Sequence, residues 1–420
     1  MKEQKLSLFP LLWIMFFDHT CLNITFPILT LLFFDTQSSL FSAETDMATR
    51  SMWYGLCVAI PHFVNMIAAP ILSTLSDTVG RKKILLLSTL GAFLFAAIAG
   101  AGVLGGFISL LFLGRIIQGV FSRTNPIAQA VIGDISSPAN KVLSMGYLQT
   151  AISLGAFLGP VMGGYFANRF FFSHFNFSLP YFIAMIFGLI SFILTLIFFK
   201  ETLRGKSHAD FEGLQLKRIQ TLFLNKKVRQ ISLLLLLVQI SWSLYYQFIP
   251  PLIKTELQFT SHQLGLFVGL VALWLALATS FGIRVLYRFF SPSQMLLGSL
   301  YVVLIGIVLS ALFCFLPLKG PFIWFASIPT AVGDAIAFSC LTALYSNAVN
   351  EKDQGKVMGV CFVVIALVWS LTGLIGGFLM RFYPLLPLII APIGALLAIV
   401  VLSYPKWQTV SDIQARIMTV

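Results

Sequence analysis

Charge is scarce in this 420-residue chain. Asp, Glu, Lys and Arg make up 10% of it, and acidic side chains are the rarer sign, 15 against 27 basic ones. A soluble domain of ordinary make-up carries about 25% charged residues, so that class is excluded. Cysteine is also scarce. Cys21, Cys57, Cys314, Cys340 and Cys361 all fall in apolar segments and none sits in a CxxC pair, which indicates neither a disulfide framework nor a metal site. They read as small buried hydrophobes. No HExxH, GxSxG or phosphate-loop pattern occurs, and the tail after Pro405 is too short for a soluble output domain. An enzyme is not expected, nor any cofactor.

What the chain has in abundance is apolar surface: 58% of residues are hydrophobic and the mean hydropathy is +0.93. A soluble fold of this size cannot bury so much, so the bilayer is the solvent. A spanning helix needs roughly 20 apolar residues. Twelve such runs are predicted, over 8–34, 52–75, 84–104, 107–131, 143–168, 179–199, 230–253, 263–286, 294–316, 321–346, 356–380 and 385–403. Lys2 and Lys5 ahead of the first run imitate a signal peptide, but the run continues to Phe34 without a small-residue cleavage site and reads as the first span.

The expected organisation is an N-terminal six-helix bundle (1–199), a charged linker (200–229), a C-terminal six-helix bundle (230–404) and a tail (405–420). Lysine and arginine set the orientation. With both termini cytoplasmic, 20 of them lie inside and only Arg50, Arg169, Lys254, Lys319 and Arg381 outside, with Arg115 and Arg123 left within a span. The excess of basic charge is therefore a topology signal, and no nucleic-acid partner is expected. An internal echo supports two related halves. Met145-Gly146 recurs as Met358-Gly359, and Gly163-Gly164 as Gly376-Gly377, at one common offset of 213 residues.

Four motifs follow in order along the first half. The loop after span two reads Ser73-Thr-Leu-Ser-Asp77-Thr-Val-Gly80-Arg81-Lys82-Lys83, in which Gly80 permits a tight turn and the basic triplet holds a cytoplasmic edge. Span one carries Asp18, Thr20, Asn23 and Pro27; span four carries Arg115-Ile-Ile-Gln118-Gly119; span five carries Gly155-Ala-Phe-Leu-Gly159-Pro160-Val-Met-Gly163-Gly164. Together they resemble the major facilitator superfamily and, within it, the twelve-span drug/proton antiporters. Ser73 and Thr78 stand where that family usually has glycine and arginine. The resemblance implies an all-α membrane protein, with twelve transmembrane helices in two pseudo-symmetric six-helix bundles. It implies a monomeric inner-membrane transporter exchanging protons for a small-molecule solute. It also implies a conformational latch of Asp77, Gly80, Arg81 and Asp134.

The residues themselves point the same way. A charged group inside a span is costly and marks function by default. Asp18 is the leading proton carrier, because an intramembrane carboxyl group can take up and release a proton; a structural Asp paired with Arg115 is the alternative. Arg115 either tunes that exchange or simply caps helix carbonyls. Gln118, Ser122, Asn125 and Gln129 follow Arg115 on one face, with Arg123 to one side. Asp334 is the one intramembrane carboxylate of the second half and joins the coupling candidates. The expected solute cavity takes in Asn23, His62, Asn65, Gln118, Ser122, Arg123, Asn125, Gln149, Gln239, Trp242 and Tyr246. Gly155, Gly159, Pro160, Gly163 and Gly164 are expected to let a helix approach closely at the rocking interface. Two readings stay open: export of an organic compound or drug, and proton-coupled uptake of an anionic metabolite or carboxylate siderophore drawn by the two arginines.

Overall fold

The structure, a computed structural model, describes residues 2–36, 38–42, 44–121, 124–136, 138–168, 176–203, 225–315, 321–349 and 354–404. Ser122 and Arg123, most of the charged linker (204–224) and the tail (405–420) lie outside the described residues.

Among the described residues, every predicted span is helical. The first breaks into α1 (Lys2–Ile24) and α2 (Phe26–Phe34), one residue ahead of Pro27, which has no N–H to continue the ladder. Then come α3 (Met47–Val79), α4 (Arg81–Gly105), α5 (Ile108–Phe121) and α6 (Thr124–Ile135), the last two sharing the fourth span. α7 (Pro138–Phe166) runs on through Pro160, and α8 is Leu179–Ile197. α9 (Lys226–Glu256) is followed by α10 (Ser261–Leu277), a wider π-type turn at Ala278–Gly282 and the short α11 (Ile283–Leu286). α12 (Pro292–Phe315), α13 (Pro321–Asn347), α14 (Gln354–Met380) and α15 (Leu386–Ser403) are the last of the described helices. Side chains set several starts: the Asp46 carboxylate accepts from Thr49 N–H at 3.1 Å to open α3, and Asn225 accepts from Lys227 N–H at 2.9 Å to open α9.

Ten of these segments, among the described residues, are long and apolar enough to cross a membrane. Many large side chains on them point outward, among them Phe9, Ile67, Phe281, Phe325 and Val400, which water would not tolerate and lipid does. Within the helices, serine and threonine hydroxyls bond back to the preceding turn, as Thr20 does to Phe16 O at 2.7 Å and Ser232 to Val228 O at 2.8 Å.

The chain forms two compact units, Met1–Phe211 with Gln258–Leu273, and Glu212–Leu257 with Trp274–Val420. The first unit thus takes in more than the expected N-terminal bundle, because most of α10 groups with it. Glycine is the reason: Gly265 meets Pro160 O and the Gly164 backbone, and Gly269 meets Phe157 O, with no side chain between.

Each unit repeats the same pairings. In the first, α1 packs on α7 and α8, and α4 on α5 and α8. In the second, α9 packs on α14 and α15, and α12 on α13 and α15. The echoed glycines occupy matching contacts. A Cβ at Gly163 would strike the Ile24 carbonyl of α1, and one at Gly376 the Phe248 ring of α9.

Candidate functional site

Asp18 sits in the last two turns of α1, buried, and its neighbour is a hydroxyl. Thr124, the first residue of α6, donates from Oγ1 to Asp18 Oδ2 at 2.5 Å. The other oxygen, Oδ1, has no hydrogen-bond partner among the described residues. The possible pairing with Arg115 does not occur. A carboxyl group buried beside a neutral donor can change its proton without breaking an ion pair.

Arg115 is also buried, and its partners follow from a proline one helix away. Pro61 lies inside α3 and has no N–H, so the Cys57 carbonyl one turn earlier loses its helical donor. Arg115 Nε donates to that carbonyl at 3.0 Å, while Nη1 donates to Gln118 Oε1 at 2.5 Å. The arginine therefore caps a helix carbonyl, as one of the two sequence readings had it, and holds Gln118 in place. Further along the stripe, Gln129 Nε2 donates to Asn125 Oδ1 at 3.1 Å. Ser122 and Arg123 are outside the described residues.

The remaining cavity candidates of the first unit lie on α1, α3 and α7. His62 and Asn65 are half-buried on α3. Asn23 turns its Nδ2 back onto His19 O of its own helix at 2.8 Å, and exposed Gln149 reaches Ser153 Oγ at 3.4 Å.

In the second unit the α9 face holds together. Trp242 stacks on Tyr246 with centroids 5.3 Å apart, and Tyr246 lies against Trp369 of α14 at 5.9 Å. Trp369 Nε1 donates to the buried Gln239 Oε1 at 2.9 Å, closing a wall of three aromatic rings and an amide. Behind it, Thr372 donates to Ser243 Oγ at 2.9 Å. Trp369 was missed in the sequence; a tryptophan in an apolar span looks like a lipid-facing side chain until its partner is known. Asp334 on α13 is buried, with Oδ1 unpartnered among the described residues. Thr330, one turn before it, bonds back to Ala326 O at 3.1 Å and leaves the carboxyl alone.

The latch residues do meet. Arg81 pairs with Asp77, donates from Nε to Asp134 Oδ2 at 3.2 Å and from Nη1 to Ser76 Oγ at 3.0 Å. A further acid joins them that the sequence placed only in the linker. Gly80 occupies the cap position of α4 with φ +119°, a conformation L side chains rarely adopt, and has no side chain to cap with. Glu201 takes over from 120 residues away, accepting from Arg81 N–H at 2.9 Å and Lys82 N–H at 3.1 Å. It also accepts from Thr202 and Leu203 N–H at 2.9 and 3.0 Å, while Thr202 Oγ1 donates to Asp134 Oδ2 at 3.2 Å. Partial burial works against its ionisation, but these four N–H donors outweigh that and hold its carboxyl below the usual carboxylate range.

Span five corrects one expectation. Gly155, Gly159 and Gly163, four residues apart on one face, all press on α1: added Cβ atoms would meet Phe16 O, Thr20 O and the Ile24 carbonyl. Of the motif's glycines Gly164 alone faces α10, where a Cβ would meet Ser261 O and Gly265, and the Pro160 carbonyl lies against Gly265 as well. Most of the glycine motif therefore builds the α1–α7 pair, because a four-residue repeat keeps its members on one side of the helix.

These features define a class: a multi-pass membrane protein built from two halves with the same helix pairings, carrying isolated ionisable groups inside its spans. The sequence profile of the Major Facilitator Superfamily matches residues 8–300, and the chain belongs to that family. It is 31% identical over 175 residues to the class B tetracycline resistance protein of Escherichia coli, covering 41% of this chain and 40% of that one. It is 31% identical over 153 residues to the quinolone resistance protein NorA of Staphylococcus aureus, covering 36% and 37%. The matches thus span about two fifths of these relatives' length. Among solved structures, the human organic anion transporter MFSD10 (TETRAN) superposes with a TM-score of 0.71 at 17% identity, covering 95% of this chain and 99% of that one. A D-xylose–proton symporter does so with a TM-score of 0.72 at 14% identity, covering 93% and 95%. Likeness at that identity speaks for the fold alone.

Proposed function

We propose that this protein is a proton-coupled antiporter that exports a small organic compound across the inner membrane by alternating access, with both termini cytoplasmic. The observation that carries the proposal is the state of Asp18: a buried carboxyl group with a hydroxyl donor on one oxygen, no partner on the other, and no cation beside it among the described residues. Asp18 takes the proton, Arg115 positions Gln118 and the α3–α5 contact around it, and Asp334 serves as a second candidate carrier. The Asp77–Arg81–Asp134 cluster biases the conformational equilibrium without touching the solute. The proton gradient supplies the energy, so no cofactor enters.

The wall of Trp242, Tyr246 and Trp369 suits a planar aromatic solute, and tetracycline and a quinolone are the first compounds to test because relatives confer resistance to them. The uptake reading is weaker, because the Arg115 guanidinium is already engaged by Cys57 and Gln118. The test is Asp18→Asn in everted membrane vesicles supplied with tetracycline or norfloxacin in the medium. Proton-driven accumulation is lost and solute exchange persists; wild-type accumulation by the variant removes Asp18 from the carrier role.

A further inference from the structure

We infer that one water molecule bridges Asp18 Oδ1 and Ser88 Oγ in a small internal pocket, and that Ser88 positions this water as the first station for the proton leaving Asp18. The inference rests on the proposed role of Asp18 and goes beyond it by naming the relay. The cavity is water-sized and lies wholly within the first unit, lined by Asp18, Ser88, Gln118 and Thr124, with Leu22 and Phe121 as apolar walls. Most of its exposed lining is apolar, Ala92 included, but Asp18 and Ser88 both border it, and a bridging water needs at least two such polar partners.

Two of those groups are buried and unsatisfied: Asp18 Oδ1 and Ser88 Oγ, each with no partner among the described residues. Ser88 departs from its neighbours in this. Thr89, the next residue, bonds back to Leu85 O at 3.0 Å, and Thr20 and Thr195 bond back to their own helices at 2.7 and 2.8 Å. A serine that forgoes the helix carbonyl needs another partner, because a buried polar atom left unpaired is destabilising. Thr124 occupies the far oxygen of Asp18 and so turns Oδ1 into the proton-exchanging one. Proton release breaks the carboxyl O–H bond and forms an O–H bond to the bridging water. The resulting hydronium passes its proton to bulk water when the cavity opens. Transfer through one water keeps donor and acceptor within hydrogen-bond reach.

The test needs no solute. Infrared difference spectra of the full-length protein in liposomes, taken across a pH step, isolate the Asp18 carboxyl C=O band as the one lost in Asp18→Asn. In Ser88→Val, which fills the cavity, that band moves to higher frequency as the Oδ1–H group loses the water that accepts its hydrogen bond. Ser88→Ala, which leaves room for the water, moves it less. Tetracycline or norfloxacin then separates the steps: Ser88→Val slows proton-driven uptake on the order of tenfold while solute exchange stays at the wild-type value. If the band exists and neither Ser88 variant moves it, the relay is overturned while the Asp18 assignment stands. If Asp18→Asn changes neither band nor uptake, the assignment of Asp18 itself fails. Uptake that follows a sodium gradient at matched pH puts a cation in the cavity and overturns the water.

Discussion

Arg115 supplies the hydrogen bond that Pro61 withholds. The proline removes an N–H from α3, and the guanidinium of α5 donates to the Cys57 carbonyl left open, so a residue of a coupling motif doubles as the clasp between two helices. Replacing Arg115 with Gln leaves that buried carbonyl unpaired, at about 1–3 kcal/mol. Pro61→Ala restores the helix donor, so Arg115→Gln should cost distinctly less thermal stability in that background. Equal losses of melting temperature in both backgrounds refute the clasp. Any transport defect that survives in the double variant belongs to coupling and not to packing.

Glu201 caps α4 across the Gly80 turn. Truncation to Ala is expected to lower the melting temperature by removing up to about 1 kcal/mol, a modest figure because the carboxylate is largely exposed. Its pH dependence has a definite sign. The folded protein holds this carboxyl below its unfolded value, so the stabilisation is complete above the ordinary carboxylate range and disappears as pH falls through the lowered folded value. The difference in melting temperature between wild type and Glu201→Gln should therefore shrink on acidification. A difference that grows toward low pH contradicts the capping role.

The glycines separate into two kinds. A Cβ at Gly146 or Gly359, the echoed Met-Gly pair, meets nothing within 4 Å among the described residues. Gly146→Ala and Gly359→Ala should each stabilise by about 0.5–1 kcal/mol through helix propensity. Gly163→Ala drives a methyl group into the Ile24 carbonyl and should destabilise and lower the yield of folded protein. Thermal melts of the three purified variants check the order; stabilisation by Gly163→Ala means α1 and α7 are not in contact there.

Much of this protein is legible along the chain. Span count follows from local composition and spacing, and the meeting of Asp77, Arg81 and Asp134 from the family resemblance. Other features are silent there. Thr124 gives no sign that it faces Asp18, since a threonine at a helix start is ordinary. Ser88 is one serine among many, and nothing next to Trp369 marks Gln239 as its partner. The glycines of α7 announce close approach but not against which helix.

The sequence by itself determined the membrane setting, the twelve spans and the doubled architecture, because hydrocarbon thickness and helix rise turn run length directly into structure. Only the tertiary structure decided the partners of the chemistry-bearing groups. Asp18 meets Thr124 rather than Arg115, Arg115 meets Cys57, and Trp369 meets Gln239, across 106, 58 and 130 residues of chain. Such contacts depend on how each helix is rotated and packed, and that rotation is set by the whole bundle at once.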